Sequence, residues 1–295
     1  MVKKSLGDKI FNVFNIIFLA FCGLIMVFPV WNVLMTSLVD VGEYYSRPII
    51  LFPKKIYWDS YKYIFSSNEL IKSVGVTTFV TIVGTIYSLI LTMMLAYALS
   101  KKDLPGRKFF TGLILFTMFF SGGLIPFYML IRNLNLINKI WVLIIPTGVN
   151  VFNFIVLKAF YTQFPESLEE SAKIDGASDF YILVRIVTPL SLPSLATIAL
   201  FYAVSYWNAW YNALLFITKP ELYPLQLLLR KMIIQNVRPE SMAVAYRQDL
   251  GSSTVVFDEG VKMATVVVAT VPILCVYPFL QKYFTKGVMI GAIKG

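Results

Sequence analysis

The chain has 295 residues, of which 58% are hydrophobic and only 14% charged, against about 25% charged in an ordinary globular domain. A soluble globule of this size has no interior large enough for such an apolar excess. That excludes a soluble enzyme, and it reads the net charge of +10 as membrane orientation rather than as a nucleic-acid surface. The lack of histidine removes imidazole bases, Ser/His/Asp triads and His-ligated metals, and no Walker-type phosphate loop is present.

In chain order, residues 1–10 carry Lys3, Lys4 and Lys9 ahead of an apolar run. That run continues for more than twenty residues, through Phe28-Pro29-Val30-Trp31, too far for a cleaved signal peptide. Six stretches are long enough to cross a bilayer: residues 16–38, 76–99, 109–130, 140–157, 189–217 and 263–280. None contains Asp, Glu, Lys or Arg, and a single charge at a helix centre costs roughly 2.5–3.5 kcal/mol on insertion. Cys22 and Cys275 each lie in an apolar run and read as small membrane-buried residues, not as a disulfide framework. The first run reads as a retained helix with its N-terminus in the cytoplasm, and an even number of spans then puts the C-terminus there too. The short loop 100–108, with Lys101, Lys102, Arg107 and Lys108, then falls inside, as the positive-inside rule asks. Pro29, Pro126, Pro146, Pro193, Pro272 and Pro278 interrupt the spans. They read either as ordinary membrane kinks or as bends around a pathway that opens and closes.

A proton- or sodium-driven carrier needs ionisable groups within its spans, and these have none. Energy must therefore enter through a loop. The segment 161–188 offers one. Pro165 suits the start of a short helix, and Glu166, Glu169 and Glu170 favour its positive end. Glu169 and Lys173 form an i,i+4 pair. Gly176 can end the helix in a left-handed turn, and Ser178 or Asp179 can cap a second one. A short helix–turn–helix results, offering Ala172, Ala177 and Ile174 as a small apolar knob ringed by acids. A solvated acidic loop is the plain alternative.

Glu170-Ser171-Ala172, then Gly176, Ile186 and Pro189, resembles the "EAA" loop of bacterial ATP-binding-cassette importer permeases, with Asp175-Gly176-Ala177 at its core. Ser171 replaces the central Ala of the triplet, and Thr188 replaces the Leu before the Pro. The opening Phe28-Pro29-Val30-Trp31, the stretch Ser205-Tyr206-Trp207-Asn208-Ala209-Trp210 and the glycine-rich ending resemble the maltose-importer type, nearest to permeases for complex oligosaccharides and alginate. The resemblance implies an all-α polytopic protein of about six transmembrane helices with the MetI-like fold of importer permeases. It implies a single domain over 1–295 in a bacterial inner or plasma membrane. It implies a non-catalytic subunit with no catalytic residue, metal or cofactor of its own, ATP and Mg being bound by the partner ATPase. The implied partners are a second permease, a cytoplasmic ATPase dimer, an extracytoplasmic solute-binding protein, membrane lipid and a saccharide, with no nucleic acid. ATPase coupling would fall to Glu169, Glu170, Ala172, Asp175, Gly176, Ala177 and Pro189. A C-terminal tail with Gly291, Lys294 and Gly295 would reach between the ATPase subunits.

Two outer loops, 39–74 and 218–262, are long. The second carries apolar spacing at Leu225–Leu229 and Ile233–Ile234 that reads as a helix on the membrane surface. By resemblance, its later part, 241–257, would enter the binding protein. For the sugar path, the fifth span supplies flat aromatic faces and amides: Ser205, Tyr206, Trp207, Asn208, Trp210 and Asn212, with Asn153 in the fourth span as a further candidate. At 100° per residue, Tyr202, Tyr206 and Trp210 share one face and Asn208 and Asn212 the opposite one. A regular helix therefore presents only one set to a cavity, and the aromatic set is the one that suits a lipid-interface belt. A permease for a non-sugar solute and a non-transporting membrane scaffold remain the alternatives.

Overall fold

A computed structural model describes residues 6–66, 68–234 and 257–292. All regular structure among them is helical. The chain divides into two compact units, one of residues 1–68 and 231–271, the other of residues 69–230 and 272–295.

In the first unit, α1 (Leu6–Thr36) runs through Pro29, and its most apolar stretch buries nothing within the protein. Such a surface belongs in lipid or against another chain. After it, α2 (Val41–Ser46) is capped by Asp40, whose carboxylate accepts from Glu43 N at 2.9 Å. Glu43 is buried, and both its oxygens accept from Lys54 N, at 3.0 and 3.1 Å. That folds the outer segment back on itself. α3 (Asp59–Ser66) is tied to the end of α1 by Tyr61 Oη and Ser37 Oγ at 2.8 Å. Burial pushes the Tyr61 phenol above its ordinary pKa, against the opposing pull of the Ser37 hydroxyl. Met35, Val39, Ile50 and Phe257 form the small core of this unit.

The second unit is built on α4 (Asn68–Ser100), 33 residues long, or about 50 Å at 1.5 Å per residue. Most of its buried residues are small or hydroxylated, Ser73, Thr77, Gly84, Ser88, Thr92, Ala96 and Ser100, with Leu70, Val80, Tyr97 and Leu99 among them. Its exposed face carries Phe79, Ile82, Ile86, Ile90 and Met94. This inside-out pattern suits a helix whose outer face meets hydrocarbon and whose inner face must let other backbones approach. The unit also contains α5 (Arg107–Phe119), α6 (Leu124–Asn133), α7 (Val151–Thr162), α8 (Glu166–Ile174), α9 (Asp179–Ile182), α10 (Thr188–Leu190), α11 (Leu192–Trp207), α12 (Tyr211–Phe216) and most of α13 (Leu225–Ile234). The last helix, α14 (Asp258–Ala292), contains the sixth apolar run.

The six expected spans are only partly present as single helices. Among the described residues, two helices are long and apolar enough to cross a membrane alone, Gly7–Thr36 and Asn68–Ser100. Three further pairs qualify only together, and each is bent. Arg107–Phe119 and Leu124–Asn133 meet at 114°, Ile140–Thr147 and Val151–Thr162 at 46°, and Asp179–Leu190 and Leu192–Trp207 at 88°. The causes are local. Gly123 takes φ +87° just before Pro126. Residues 140–147 wind as 3-10 turns around Pro146 until Asn150 caps α7, accepting from Asn153 N at 3.1 Å. Ahead of α11, a π turn over Leu183–Val187 and Pro193 in the first turn loosen the backbone.

α13 forms where the spacing placed a helix, but the Leu225–Leu229 part of its apolar side faces the protein core. Leu225 and Leu227 are fully buried, and Leu225 N donates to Thr77 Oγ1 at 2.8 Å. The protein core takes up Leu225–Leu229 of the stripe, whereas Ile233 and Ile234 stay 47% and 62% exposed.

Candidate coupling surface and translocation cleft

The acidic loop folds as helix–turn–helix. Helix α8 ends in a Schellman motif: Ala177 N donates to Ala172 O at 2.9 Å and Gly176 N to Lys173 O at 3.0 Å. Gly176 sits at φ +82°, which only glycine adopts freely. Ser178 Oγ then caps α9, accepting from Tyr181 N at 3.3 Å. Lys173 Nζ bridges the turn to Asp179 at 3.2 Å. The turn is thus closed from backbone and side chain together.

Helix α8 is also clamped from below. Lys101 pairs with Glu169, and Lys102 with Glu166 at 2.6 Å. Lys101 Nζ further sits 3.9 Å from the centre of the Tyr97 ring. The expected Glu169–Lys173 pair is therefore not made, because each partner finds a better-placed charge outside its own helix. These contacts put loop 100–108 and loop 161–188 on the same side of the bundle. Elsewhere in the unit, Asn138 Oδ1 accepts from Thr218 N at 2.7 Å, joining the segments that follow α6 and α12.

The knob divides differently from the expectation. Ala172 is buried and Ala177 packs against the core, whereas Ile174 is 86% exposed. Glu170, Asp175, Gly176 and Pro189 are exposed, and Glu169 is half-buried by its lysine. The outward surface is thus Ile174 with Glu170, and the alanines anchor it. Hydrogen bonding to Lys102, and its charge, hold the Glu166 carboxyl below the ordinary carboxylate value. The pair's contribution is therefore present above that ordinary value and is lost only as pH falls through the lowered one. Lys102→Gln is expected to return the Glu166 midpoint to the ordinary range, as read by a carboxyl carbon NMR titration. An unchanged midpoint would remove Lys102 as the cause.

Of the tail residues, Gly291 lies in the last turn of α14, and Lys294 and Gly295 lie outside the described residues. Residues 241–256 of the second outer loop also lie outside them. Phe257, at the end of that stretch, is buried beside the Tyr44 ring, with centroids 4.9 Å apart.

The sugar-path candidates sort into two groups. A cleft of about 640 Å³ is lined by Asn153, Ser205, Tyr206 and Asn212, together with Asn150, Thr147 and Tyr202. Asn208, Trp207 and Trp210 do not line it. Asn208 caps α11, with Nδ2 donating to Val204 O at 2.9 Å, and Trp210 lies under the Arg230 guanidinium at 3.8 Å. One face was expected to exclude the other, yet Tyr202, Tyr206 and Asn212 share the cleft. The reason is that residues 189–217 are not one regular helix. The chain leaves α-geometry at residues 208–210 and restarts as α12, which swings Asn212 round to the tyrosine face. Nor do these tyrosines form a lipid belt, since Tyr202 and Tyr206 are 3% and 4% exposed.

Their hydroxyls hold the cleft wall in place. Tyr206 Oη meets Ser88 Oγ at 2.8 Å, and Tyr202 Oη meets Thr92 Oγ1 at 2.6 Å while accepting from Asn150 N at 2.9 Å. Two tyrosines four residues apart on α11 thus read two hydroxyls four residues apart on α4. Gly84, one turn before Ser88, makes room: a Cβ there would lie 2.7 Å from the Tyr206 ring. Gly84, Ser88, Thr92, Lys101 and Lys102 were not singled out from the sequence as site residues. The four-residue spacing of small side chains along α4 was the signal for the first three.

Fold and site together define the membrane-embedded subunit of a transporter, with a cleft in the bundle and an acid-tipped helix presented on one side. No family model matches the chain. It is 44% identical, over 98% of its length and 99% of the relative's, to the polygalacturonan/rhamnogalacturonan transport system permease protein YtcP of Bacillus subtilis strain 168. It is 43% identical, over 100% and 98%, to the protein LplC of the same organism. In three dimensions it is similar to a chain from the crystal structure of a bacterial ABC transporter involved in the import of the acidic polysaccharide alginate. There the TM-score is 0.88 at 32% identity, covering 96% of this chain and 100% of that one. The chain belongs to the carbohydrate ABC importer permeases.

Proposed function

We propose that this chain forms half of a heterodimeric path for an acidic oligosaccharide. It crosses a bacterial plasma membrane six times with both termini in the cytoplasm, and a second permease supplies the other half. The observation that carries the coupling reading is α8 itself: a helix with Glu170 and Ile174 outward, closed by the Gly176 turn and paired to Lys101 and Lys102. A surface so fixed transmits a push from a docked ATPase instead of absorbing it. ATP and Mg bind on that separate ATPase, where hydrolysis takes place, and an extracytoplasmic binding protein delivers the saccharide. The substrate class follows the relatives' names, a polygalacturonan/rhamnogalacturonan system and an alginate importer.

The cleft contributes hydroxyls, amides and aromatic rings. Among the described residues, no charged side chain lines it. In this reading the subunit grips the sugar through its hydroxyl groups and ring faces, while the charge is met elsewhere in the assembly. Asn212→Leu is expected to cut uptake of a labelled oligogalacturonate by about tenfold, the size of one lost buried amide contact. Expression and membrane insertion should stay normal. Wild-type uptake by this variant would remove Asn212 from the path. Equal uptake of maltose and oligogalacturonate by the native transporter would overturn the substrate class.

A further inference from the structure

On the same side as the coupling helix, a second groove of about 690 Å³ lies between loop 100–108, the start of α5 and Lys158 of α7. Four of its nine lining residues are cations, Lys102, Arg107, Lys108 and Lys158, and none is acidic. Lys102 is engaged by Glu166. Arg107 Nε donates to the Leu99 carbonyl at 3.0 Å and Lys158 Nζ to the Thr111 hydroxyl at 2.8 Å, both neutral acceptors. Among the described residues, no carboxylate pairs with Arg107, Lys108 or Lys158. Three cations thus converge on one concavity with their charge uncompensated.

The groove continues into an apolar flank. Helix α5 buries none of its residues within the protein, and Phe109, Phe110, Leu113 and Phe116 are 49–68% exposed. Gly112 leaves an open notch, since an added Cβ would meet nothing within 4 Å. Cations at the water end of a bare apolar helix match an anionic head carried on acyl chains. Clustered basic groups beside the membrane on the cytoplasmic side select anionic headgroups in the same way.

We propose that this groove binds an anionic phospholipid, with the headgroup phosphate among Arg107, Lys108 and Lys158 and the acyl chains along α5. The site differs from the cleft and from the coupling surface, and it does not depend on which sugar is carried. It would make the position of loop 100–108, and so of the lysine clamp under α8, responsive to the lipid of the adjoining leaflet.

The test is native mass spectrometry of the full-length protein released from detergent after titration with phosphatidylglycerol or phosphatidylcholine. Phosphatidylglycerol is expected to stay bound where phosphatidylcholine does not. The double variant Lys108→Gln/Lys158→Gln is expected to weaken retention at least about tenfold, since each basic group near an anionic surface adds to binding. Lys108→Gln alone, which breaks no bond, should show a smaller loss in the same direction. The double variant Lys72→Gln/Lys139→Gln, an equal charge change away from the groove, should leave retention unchanged. Equal retention of the two lipids, or equal loss in both double variants, would overturn the site. Displacement of phosphatidylglycerol by millimolar inorganic phosphate would overturn its assignment to lipid.

Discussion

Gly176→Pro is expected to abolish sugar-stimulated ATPase activity while the chain still inserts and folds. Proline fixes φ near −65° and has no N–H, whereas the turn needs φ +82° and the bond from Gly176 N to Lys173 O. The mismatch costs about 3 kcal/mol or more, or more than about a hundredfold in the population of the closed turn. Gly176→Ala separates strain from collision. A Cβ there meets nothing within 4 Å, so only the left-handed backbone penalty of roughly 1–2 kcal/mol applies, and a partial loss should follow. The measurement is ATP hydrolysis by the reconstituted transporter with binding protein and sugar present. Equal activity in wild type and both variants would mean that the turn does not shape the coupling surface.

Gly84→Leu is expected to have a comparably large effect by a different route. The Tyr206 ring lies where the new side chain would begin, 2.7 Å from an added Cβ. Its hydroxyl, held by Ser88 at 2.8 Å, prevents it from swinging aside. Overpacking of this kind costs about 1–3 kcal/mol, and losing the interhelical hydrogen bond adds about 0.6–1.7 kcal/mol. Helix α11 should separate from α4, opening the cleft wall and lowering the melting temperature in detergent. Gly75→Ala on the same helix, with nothing within 4 Å, should be harmless. Adding Tyr206→Leu to Gly84→Ala should recover part of the single-variant loss, a coupling that a double-mutant cycle reads directly. Additive losses in that cycle would show that Gly84 and Tyr206 do not depend on each other.

Much of the architecture was legible in the sequence, for physical reasons. Bilayer insertion demands long runs without charge, so the apolar segments stood out. The turn after α8 showed itself because a left-handed helix end needs a residue like Gly176. Other features were hidden because they depend on distant partners. Nothing local says that Glu169 will meet Lys101, 68 positions away, in place of Lys173. The inward turn of Ala172 follows from that docking. The break after Trp207 was missed because neither Gly nor Pro marks it. Asn208 makes it, through a side chain that bonds the Val204 carbonyl four residues back and competes with the helix. That one residue decides whether the tyrosines and Asn212 face the same cleft.

The central claim is that α8 is the surface an ATPase grips. It is tested most directly by affinity purification of the tagged chain in mild detergent, with mass spectrometry of what accompanies it, for wild type and Gly176→Pro side by side. The expected result is that wild type brings down a second permease and an ATPase, and that Gly176→Pro keeps the permease and loses the ATPase. Recovery of the ATPase with both forms, or of the wild-type chain alone across several detergents, would contradict it.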